Sequence, residues 1–326
     1  MKRRDFMLLL GGAATIGPLK ARAQQQAMPV LGYFSGRSAN AEQPLLAPFL
    51  RQFAEMGFVS GRNVAFDYRF AQGRDESLPQ LAADLVRRHV SVLIATDRSS
   101  GVAAKAATST IPIVFASGED PVKLGLVASL NRPGGNATGV FVYGTELGPK
   151  RLELLRELQP RPGLIALVVN QNALQTPFQV RELQKTARAI GQPLLVLSVG
   201  TEPDVVKAFA IMAQRKVVAV LFGTSPFFQT ISDKLIALAA RHAIPAVYEW
   251  PEFVKAGGLM SYSAKRAEIG GQMGNYAGRI LKGESPSNLP VIQTTHFELV
   301  INLKTAASLG LKLPSEFLAR ADEVIE

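Results

Sequence analysis

The sequence contains no cysteine among its 326 residues. That absence excludes disulfide bonds, thiol catalysis and thiolate metal sites, and we expect no lipid anchor on a processed N-terminal cysteine. Histidine is almost as scarce: His89, His242 and His296 lie far apart and lack the spacing of a metal site. The sequence therefore predicts a protein that holds no metal and no cofactor.

Sequence motifs for catalysis are also missing. There is no G-x-x-x-x-G-K-[ST] phosphate loop, no G-x-G-x-x-G dinucleotide fingerprint and no G-x-S-x-G nucleophile elbow. The formal net charge is +10, but the basic residues are scattered, and no run of Lys and Arg after residue 23 is longer than a pair such as Arg87-Arg88. No DNA-binding motif accompanies them. We therefore expect neither an enzyme nor a nucleic-acid partner, and we assign no catalytic residue.

The N-terminus has the organisation of an export signal. A basic start precedes an apolar stretch from Phe6 to Leu19, which is shorter than the about 20 residues that span a membrane. Ala21-Arg22-Ala23 is a small-x-small cleavage site. We expect a signal peptide over residues 1–23, cleavage after Ala23 and a periplasmic mature protein. Arg3-Arg4 followed by Phe6 indicates the twin-arginine route, with an ordinary secretory signal as the alternative.

The rest of the chain repeats one plan, in which short apolar strands alternate with amphipathic helices. In the first half the predicted strands cover residues 30–34, 64–68, 90–95 and 111–115. In the second half they cover residues 164–169, 194–199, 217–222 and 244–248. Such alternation is typical of parallel sheets covered by helices on both faces. The predicted fold class is therefore α/β, with two similar doubly wound parallel-sheet lobes.

The glycine-rich run at residues 134–139 is a good crossover between the lobes. We expect lobe 1 to comprise residues 28–138 plus about 263–289, and lobe 2 to comprise residues 139–262 plus about 290–326. A chain that crosses more than once makes a multi-crossover hinge. Ligands of open parallel sheets bind beyond the carboxyl ends of the strands, so the two lobes should close on a ligand by hinge motion.

The loops after the strands contain hydroxyl, amide, aromatic and charged side chains that suit hydrogen bonding to a solute. The candidate ligand-binding residues of lobe 1 are Ser35, Arg37, Asp97, Arg98, Ser99, Ser100, Ser117 and Asp120. Those of lobe 2 are Asn170, Thr224, Ser225, Phe227, Tyr248, Trp250 and Tyr262.

Three of these assignments have a structural alternative. Arg98 with the two following serines could hold an anionic group at a helix N-terminus, or the serines could only cap that helix. Asp120 could bind a ligand ammonium or cap the next helix. Phe227 and Trp250 could cover an apolar part of the ligand, or Trp250 could pack in the core.

Six stretches of the chain together resemble one protein family. They are residues 57–64, 81–86, 120–127, 131–140, 150–155 and 297–302. In these stretches the sequence is similar to the ABC transporter substrate-binding proteins of the tryptophan/tyrosine-binding type, which have the periplasmic-binding-protein type I fold. The resemblance implies delivery of a solute to a permease in the cytoplasmic membrane, driven by an ATPase on the far side. We also expect the protein to be a monomer.

Two departures from the family pattern affect the ligand. Asp97-Arg98 stand where the family has small residues, and residues 264–268 differ from its Asp- and Tyr-containing version. Both departures argue against carrying over the aromatic amino acids that some family members bind and favour a different, anionic solute. The expected solute is therefore small and anionic, with an amino-acid-like solute as the alternative. The alternative is a sensory binding protein that docks on a membrane receptor. Effector domains of transcription regulators share the fold, but export and the missing DNA-binding segment argue against that class.

Overall fold

The computed structural model describes residues 28–142, 147–159 and 162–326, so the predicted signal peptide lies outside the described residues. The chain forms two sheets, each flanked by helices. The predicted α/β architecture with two parallel-sheet lobes is confirmed. Within the described residues, no helix combines the length and the apolar character that crossing a membrane requires.

Lobe 1 is built on the first sheet, whose strand order is β11-β5-β4-β3-β1-β2. Its strands are β1 (Val30–Ser35), β2 (Ala65–Phe70), β3 (Val92–Ala95), β4 (Ile113–Ser117), β5 (Ala137–Phe141) and β11 (Ile292–Gln293). Its helices are α1 (Ala39–Glu55), α2 (Leu78–Arg87), α3 (Arg98–Ala107) and α10 (Arg266–Leu281). All neighbouring strands of this sheet pair in parallel.

Lobe 2 is built on the second sheet, in the order β13-β12-β10-β9-β8-β6-β7. Its strands are β6 (Ile165–Asn170), β7 (Leu194–Val199), β8 (Ala219–Phe222), β9 (Ala246–Tyr248), β10 (Met260–Ala264), β12 (Phe297–Asn302) and β13 (Glu323–Ile325). Its helices are α4 (Gly148–Glu157), α5 (Thr176–Ala189), α6 (Glu202–Gln214), α7 (Pro226–Thr230), α8 (Ser232–Arg241), α9 (Pro251–Lys255), α11 (Leu303–Ser308) and α12 (Ser315–Leu318).

The central strands explain why the apolar runs of the sequence are continuous rather than alternating. Every residue of β3, β4, β6 and β8 is buried, because helices cover both faces of a parallel sheet. One departure is β12, which pairs antiparallel with β10. It enters the sheet directly from the hinge, without a crossover helix to reverse its direction.

Helix α10 is fixed on lobe 1 by glycines. A Cβ atom at Gly270 or Gly274 would collide with the backbone carbonyls of Leu45 and Phe49 in α1. The two helices therefore approach more closely than side chains would permit. This contact holds the N-terminus of α10, and with it Arg266, beside the interface between the lobes.

The boundary between the lobes differs from the prediction at two places. The run 134–139 is not a linker throughout, because β5 continues to Phe141 and pairs with β4 in the first sheet. Gly139 is required in that strand, since a side chain there would clash with the backbone of Phe115. The short strand β11 also belongs to lobe 1, where it pairs with β5, although residues from about 290 onward were expected in lobe 2.

The chain crosses between the lobes after β5, between β10 and α10, and between β11 and β12. Several connections at one edge restrict the relative motion of two lobes to a hinge. The carboxyl ends of the central strands of both sheets meet on the side where the candidate residues lie.

Candidate functional site: the cleft between the lobes

A cavity lies between the carboxyl ends of the two sheets and is lined by both lobes. Its volume is about 50 Å³, the space of a few water molecules. Lobe 1 lines it with Arg37, Leu45, Thr96, Asp97, Arg98, Ser99, Ala116, Ser117, Gly118, Glu119, Val142 and Ile269. Lobe 2 lines it with Gln175, Thr224, Pro226, Gln229, Glu249 and Trp250. The lobes are therefore closed on a small site whose lining combines charged and polar side chains with a larger apolar surface.

The N-terminus of α3 is capped by a carboxylate, not by the serines. Asp97 accepts a hydrogen bond from the Ser100 amide at 2.9 Å, and the Ser100 hydroxyl lies 3.1 Å from the Asp97 amide nitrogen, which completes a capping box. Ser100 is fully buried and does not line the cavity. A carboxylate already occupies the position at which the helix would favour an anion.

Arg37, just after β1, is the centre of a buried ionic network. Its Nη1 donates to Glu42 at 3.2 Å and to the Thr96 carbonyl at 3.1 Å, and it lies 4.0 Å from Asp97. Burial alone would lower the pKa of the Arg37 guanidinium, but the nearby carboxylates of Glu42 and Asp97 more than offset this and raise it. Arg37 therefore stays charged and fixed.

The carboxylates of this network have further partners in lobe 1. Glu42 accepts from the Tyr33 hydroxyl at 2.9 Å and from the Ser35 hydroxyl at 2.8 Å. Asp97 accepts from the Gly36 amide at 2.7 Å. Burial raises the pKa of the Tyr33 hydroxyl, and the charge of Glu42 adds to that rise. The wall of lobe 1 is therefore assembled by its own residues.

Arg98 is paired within lobe 1 as well. Its Nε donates to Glu119 at 2.6 Å, while its Nη1 is buried without a hydrogen-bond partner among the described residues. Ser99 donates to Asp75 at 2.8 Å. The hydroxyls of Ser99 and Ser100 and the Nε of Arg98 therefore already have partners in lobe 1. The prediction that these groups together hold an anion is not supported. Arg98 Nη1 is the group of this set that has no hydrogen-bond partner in the described part of the chain.

Asp75 has the most perturbed carboxyl of this wall. Burial and the neighbouring charge of Asp97 raise its pKa to about 7, against the hydrogen bond from Ser99. Its Oδ1 is buried without a hydrogen-bond partner among the described residues. A Cβ atom at Gly36 would lie 3.0 Å from this oxygen and 3.1 Å from Pro226 Cγ of lobe 2, so the Asp75 carboxyl lies close to the contact between the lobes.

The wall of lobe 2 contributes Glu249, at the end of β9, and Gln229 in α7. Glu249 accepts from the Gln229 amide at 3.2 Å. No lysine or arginine nitrogen of the described residues lies within 4.0 Å of it. Burial raises the pKa of Glu249, and the more distant charges of Arg151, Arg37 and Arg266 oppose that rise. Glu249 is the carboxylate of the cavity that lacks an ion-pair partner.

Gln229 connects the lobes. Its amide oxygen accepts from Arg37 Nε at 2.7 Å and from the guanidinium of Arg266. The Arg266 guanidinium also lies 4.1 Å from the ring centroid of Trp250, a cation–π geometry. Burial lowers the pKa of Arg266, and the carboxylate of Glu252 opposes this. These contacts exist only when the lobes are together.

A second buried arginine lies behind the wall of lobe 2. Arg151 donates to the Tyr262 carbonyl at 2.7 Å and to the Thr224 hydroxyl at 3.4 Å. No carboxylate of the described residues lies within 4.0 Å of it. Burial lowers its pKa, and Glu249 provides the main opposing charge.

Two glycines of lobe 1 make room for α7. A Cβ at Gly36 would lie 3.1 Å from Pro226 Cγ, and a Cβ at Gly73 would lie 3.1 Å from Phe227 Cα. Gly73 also has a φ of +79°, a conformation that favours glycine. Because neither glycine has a side chain, α7 of lobe 2 packs directly against the backbone of lobe 1 beside the cavity.

The structure brings seven of the predicted ligand-binding residues to the cavity. They are Arg37, Asp97, Arg98, Ser99, Ser117, Thr224 and Trp250. Direct contact of these residues with a ligand stays a prediction.

The other eight predicted residues do not line the cavity. Ser35, Ser100, Asn170 and Ser225 support loops through hydrogen bonds, and Asp120 caps a turn by accepting from the Val122 amide. Phe227 packs against lobe 1 at Gly73. Tyr248 is stacked between Phe222 and Phe253 in the core. The half-buried ring of Tyr262 packs against Phe297. None of these three aromatic side chains lines the cavity.

Sequence reasoning missed several polar residues of the site. The most important are Glu42, Glu119, Gln229, Glu249, Arg151 and Arg266. Glu119 and Glu249 lie in loops that follow strands, so position alone could have indicated them. Arg151 and Arg266 lie on helices next to the lobe crossovers, where no local pattern distinguishes them from surface arginines.

Among the described residues, no three acidic or histidine side chains form a cluster that could hold a metal ion. The site therefore offers hydrogen bonds, charges and apolar contact. These groups can bind a small polar molecule as the lobes close.

Comparisons with known proteins agree with the binding of a small molecule between the lobes. Residues 46–325 match the family described as "ABC transporter substrate binding protein". A curated relative, the tyrosine-binding protein of Clostridioides difficile (strain R20291), is 26% identical over 265 residues, covering 81% of this chain and 76% of the relative.

Two solved structures superpose over 91% of this chain and 99% of their own. One is a conserved domain protein from Vibrio cholerae, with 27% identity and a TM-score of 0.82. The other is an ABC domain from Streptococcus pneumonia in complex with L-Trp, with 22% identity and a TM-score of 0.81. The periplasmic-binding-protein type I fold implied by the sequence resemblance is confirmed. Members of the matched family bind solutes and are not enzymes, and this chain belongs to the ABC transporter substrate-binding protein family.

Proposed function

We propose that this protein is the extracytoplasmic solute-binding component of an ABC importer. It captures a small amino-acid-like solute between its lobes and delivers it to a permease in the cytoplasmic membrane. The observation that carries this proposal is the closed cleft, in which Gln229 of lobe 2 accepts hydrogen bonds from Arg37 and Arg266 of lobe 1. A ligand held there would contact both lobes and favour their closure.

Family membership and relatives support the same role. Substrate-binding proteins of ABC transporters act outside the cytoplasm, and the predicted signal peptide, cleaved after Ala23, provides the means of export. The names of two relatives mention tyrosine and L-Trp, which makes amino acids the first solutes to test. The polar walls and apolar sides of the cavity suit such molecules.

The test combines identification and transport. The protein is purified from the periplasmic fraction, and native mass spectrometry identifies the solute that it retains. Uptake of that solute is then measured in a strain that lacks the gene. We expect uptake to fall and to return when the gene is restored. Normal uptake without the gene would contradict an importer role, and an uncleaved Met1 on the active protein would contradict export by a signal peptide.

A further inference from the structure

A second cavity lies in lobe 2, away from the cleft. Its volume is about 270 Å³, and it lies between α8, the start of β9 and β10, and α11. We call it the lobe 2 pocket and define it by the buried or half-buried side chains of Ile236, Ala239, Ile244, Leu259, Thr305 and Leu309. Of the described residues, none lines both this pocket and the cavity of the cleft.

The lobe 2 pocket has room because small residues stand where larger side chains would fill it. Its lining includes Ala239, Ala240, Ala243, Ala246, Gly257 and Gly258. Ala240 and Ala243 are exposed, so the pocket opens to solvent. Among the described residues, no charged side chain belongs to this lining. The pocket therefore suits an uncharged molecule, since a charge would lose its hydration there without gaining a partner.

The ring of Tyr248 reaches this pocket from β9. It is only 1% exposed, and it is stacked between Phe222 and Phe253. It also lies over Gly258, because a Cβ atom there would lie 2.7 Å from Tyr248 Cε2. Both residues line the pocket, so this contact brings the hydroxyl end of the ring to it.

The Tyr248 hydroxyl is the polar group of the pocket that lacks a partner. Within the described part of the chain it makes no hydrogen bond, and burial alone raises its pKa. The two other hydroxyls of the lining are satisfied: Thr305 donates to the Gly257 carbonyl at 2.9 Å, and Ser308 donates to the Thr305 carbonyl at 2.8 Å. Because buried hydroxyl groups normally have a partner, the free one indicates what a ligand would supply.

We propose that the lobe 2 pocket is a second ligand site, which takes a small uncharged ring compound with one hydrogen-bonding group, such as a phenol or a cyclic alcohol. The ring would occupy the apolar part, and its oxygen would pair with the Tyr248 hydroxyl. An apolar cavity of about 150 Å³ admits benzene, so about 270 Å³ has room for a ring with a substituent. The site is separate from the solute site proposed in the cleft.

The experiment uses three molecules of one shape. p-Cresol and toluene differ only in a hydroxyl group, and p-toluate carries a charged carboxylate in its place. Each is titrated into the processed, full-length mature protein, whose isoleucine methyl groups are labelled with carbon-13. Ile236 and Ile244 line the lobe 2 pocket, and Ile269 lines the cleft, so the NMR shifts of their methyl signals identify the occupied site and give the affinity.

We expect p-cresol and toluene to shift the signals of Ile236 and Ile244 but not that of Ile269. p-Cresol should bind roughly fivefold more tightly than toluene, as one net hydrogen bond warrants. p-Toluate should bind weaker than p-cresol by about tenfold or more, because its charge finds no partner in the pocket.

Two variants and a control locate the effect. Tyr248→Phe should remove the preference for p-cresol without lowering thermal stability, because the hydroxyl that is lost has no partner in the protein. Ala240→Leu should weaken the binding of both molecules by about tenfold or more by filling the pocket. Ala237→Leu, an exposed change on the same helix outside the pocket lining, is the matched control and should alter neither affinity.

Equal affinities of the unmodified protein for p-cresol and toluene would overturn the proposal, as would a preference that persists in Tyr248→Phe. Shifts at Ile269 in place of Ile236 and Ile244 would place the molecules in the cleft and also overturn it, and so would the absence of any shift at millimolar concentrations. If Tyr248→Phe does not fold, the other comparisons decide: undiminished binding to Ala240→Leu, or p-toluate binding as tightly as p-cresol, contradicts the site.

Discussion

The two walls of the cleft are built in different ways. In lobe 1, both arginines of the wall have carboxylate partners from the same lobe, and the network extends to Tyr33 and Ser35. In lobe 2, Glu249 and Arg151 each lack an ion-pair partner within 4.0 Å among the described residues. The arginines that line one wall are paired with carboxylates of their own lobe, whereas Glu249 and Arg151 of the other have no ion-pair partner this close in the described part of the chain.

This difference suggests a division of labour. A satisfied buried network is rigid and fixes the geometry of its loops, so lobe 1 offers a preformed surface. In lobe 2, Glu249 and Arg151 offset each other only at longer range, and Arg37 and Arg266 of lobe 1 add to the charge around Glu249 when the lobes are closed. Gln229 contributes to both, because it binds Glu249 on its own lobe and two arginines on the other.

The largest expected effect on the free energy of unfolding comes from removing the buried ion pairs of Arg37 in lobe 1. Arg37→Met leaves Glu42 and Asp97 buried without their cation, and breaking a buried pair in this way costs about 3–5 kcal/mol. Arg151→Met removes a guanidinium that has no close carboxylate and should cost less, about 1–3 kcal/mol for the carbonyl left unpaired. Urea unfolding of both variants measures the difference. Equal losses in the free energy of unfolding would show that the two walls do not differ in this respect.

The next effect comes from removing the connection between the walls. Gln229→Leu keeps a similar volume but leaves Arg37 and Arg266 without this acceptor in the closed state. Because hydrogen bonds to charged groups contribute about 1.5–3 kcal/mol, ligand affinity should fall about tenfold or more. The stability of the ligand-free protein should change less, since water can replace the amide once the lobes separate. Calorimetric titration with unchanged affinity would exclude Gln229 from closure.

Asp75 gives the wall of lobe 1 a dependence on pH. Its pKa is about 7 in the folded protein and about 4 in an unfolded chain, so the folded state retains a proton that the unfolded chain loses between these values. Its contribution to stability is present below about pH 4 and is lost as the pH rises to about 7, by up to about 1.4 kcal/mol per pH unit.

The variant Asp75→Asn should remove this slope, because its amide carries no charge. The free energy of unfolding, measured by urea at stepped pH values, should show the variant gaining on the unmodified protein as the pH rises toward about 7 and a constant difference above it. Parallel curves for the two proteins would contradict the raised pKa.

The smallest expected effect concerns the fit of α7 on lobe 1. In Gly36→Ala the new methyl group would lie 3.0 Å from Asp75 Oδ1 and 3.1 Å from Pro226 Cγ. Both contacts require a shift of a few tenths of an ångström in the closed state. Affinity should fall roughly threefold, about 0.7 kcal/mol. Gly271→Ala is the control, since a Cβ there meets no atom within 4 Å; equal effects of the two changes would remove Gly36 from the closure contact.

The sequence predicted the architecture well because the fold depends on short-range patterns. Buried strands such as β3 and β8 appear as continuous apolar runs, and their alternation with helices specifies parallel sheets. The boundary near residues 134–139 was placed too early, because glycine in a strand and glycine in a linker look alike. Only the clash that a side chain at Gly139 would make with Phe115 distinguishes them.

The site was predicted less completely for a physical reason. Loops after strands could be identified, and Arg37, Thr224 and Trp250 were found in this way. Whether a polar group is satisfied, however, depends on residues far away in the sequence: Arg37 and Gln229 are 192 positions apart. The use of Asp97 as the helix cap, and the unpaired state of Glu249, become visible only in three dimensions.

The most direct test of the central claim is small-angle X-ray scattering of the processed protein, with and without the solute identified by native mass spectrometry. A clamp whose lobes are joined across the cleft by Gln229 and by a bound solute should be more open without the solute and should show a smaller radius of gyration when saturated. Scattering curves that stay identical at full occupancy, proved by calorimetry on the same sample, would contradict closure around the ligand.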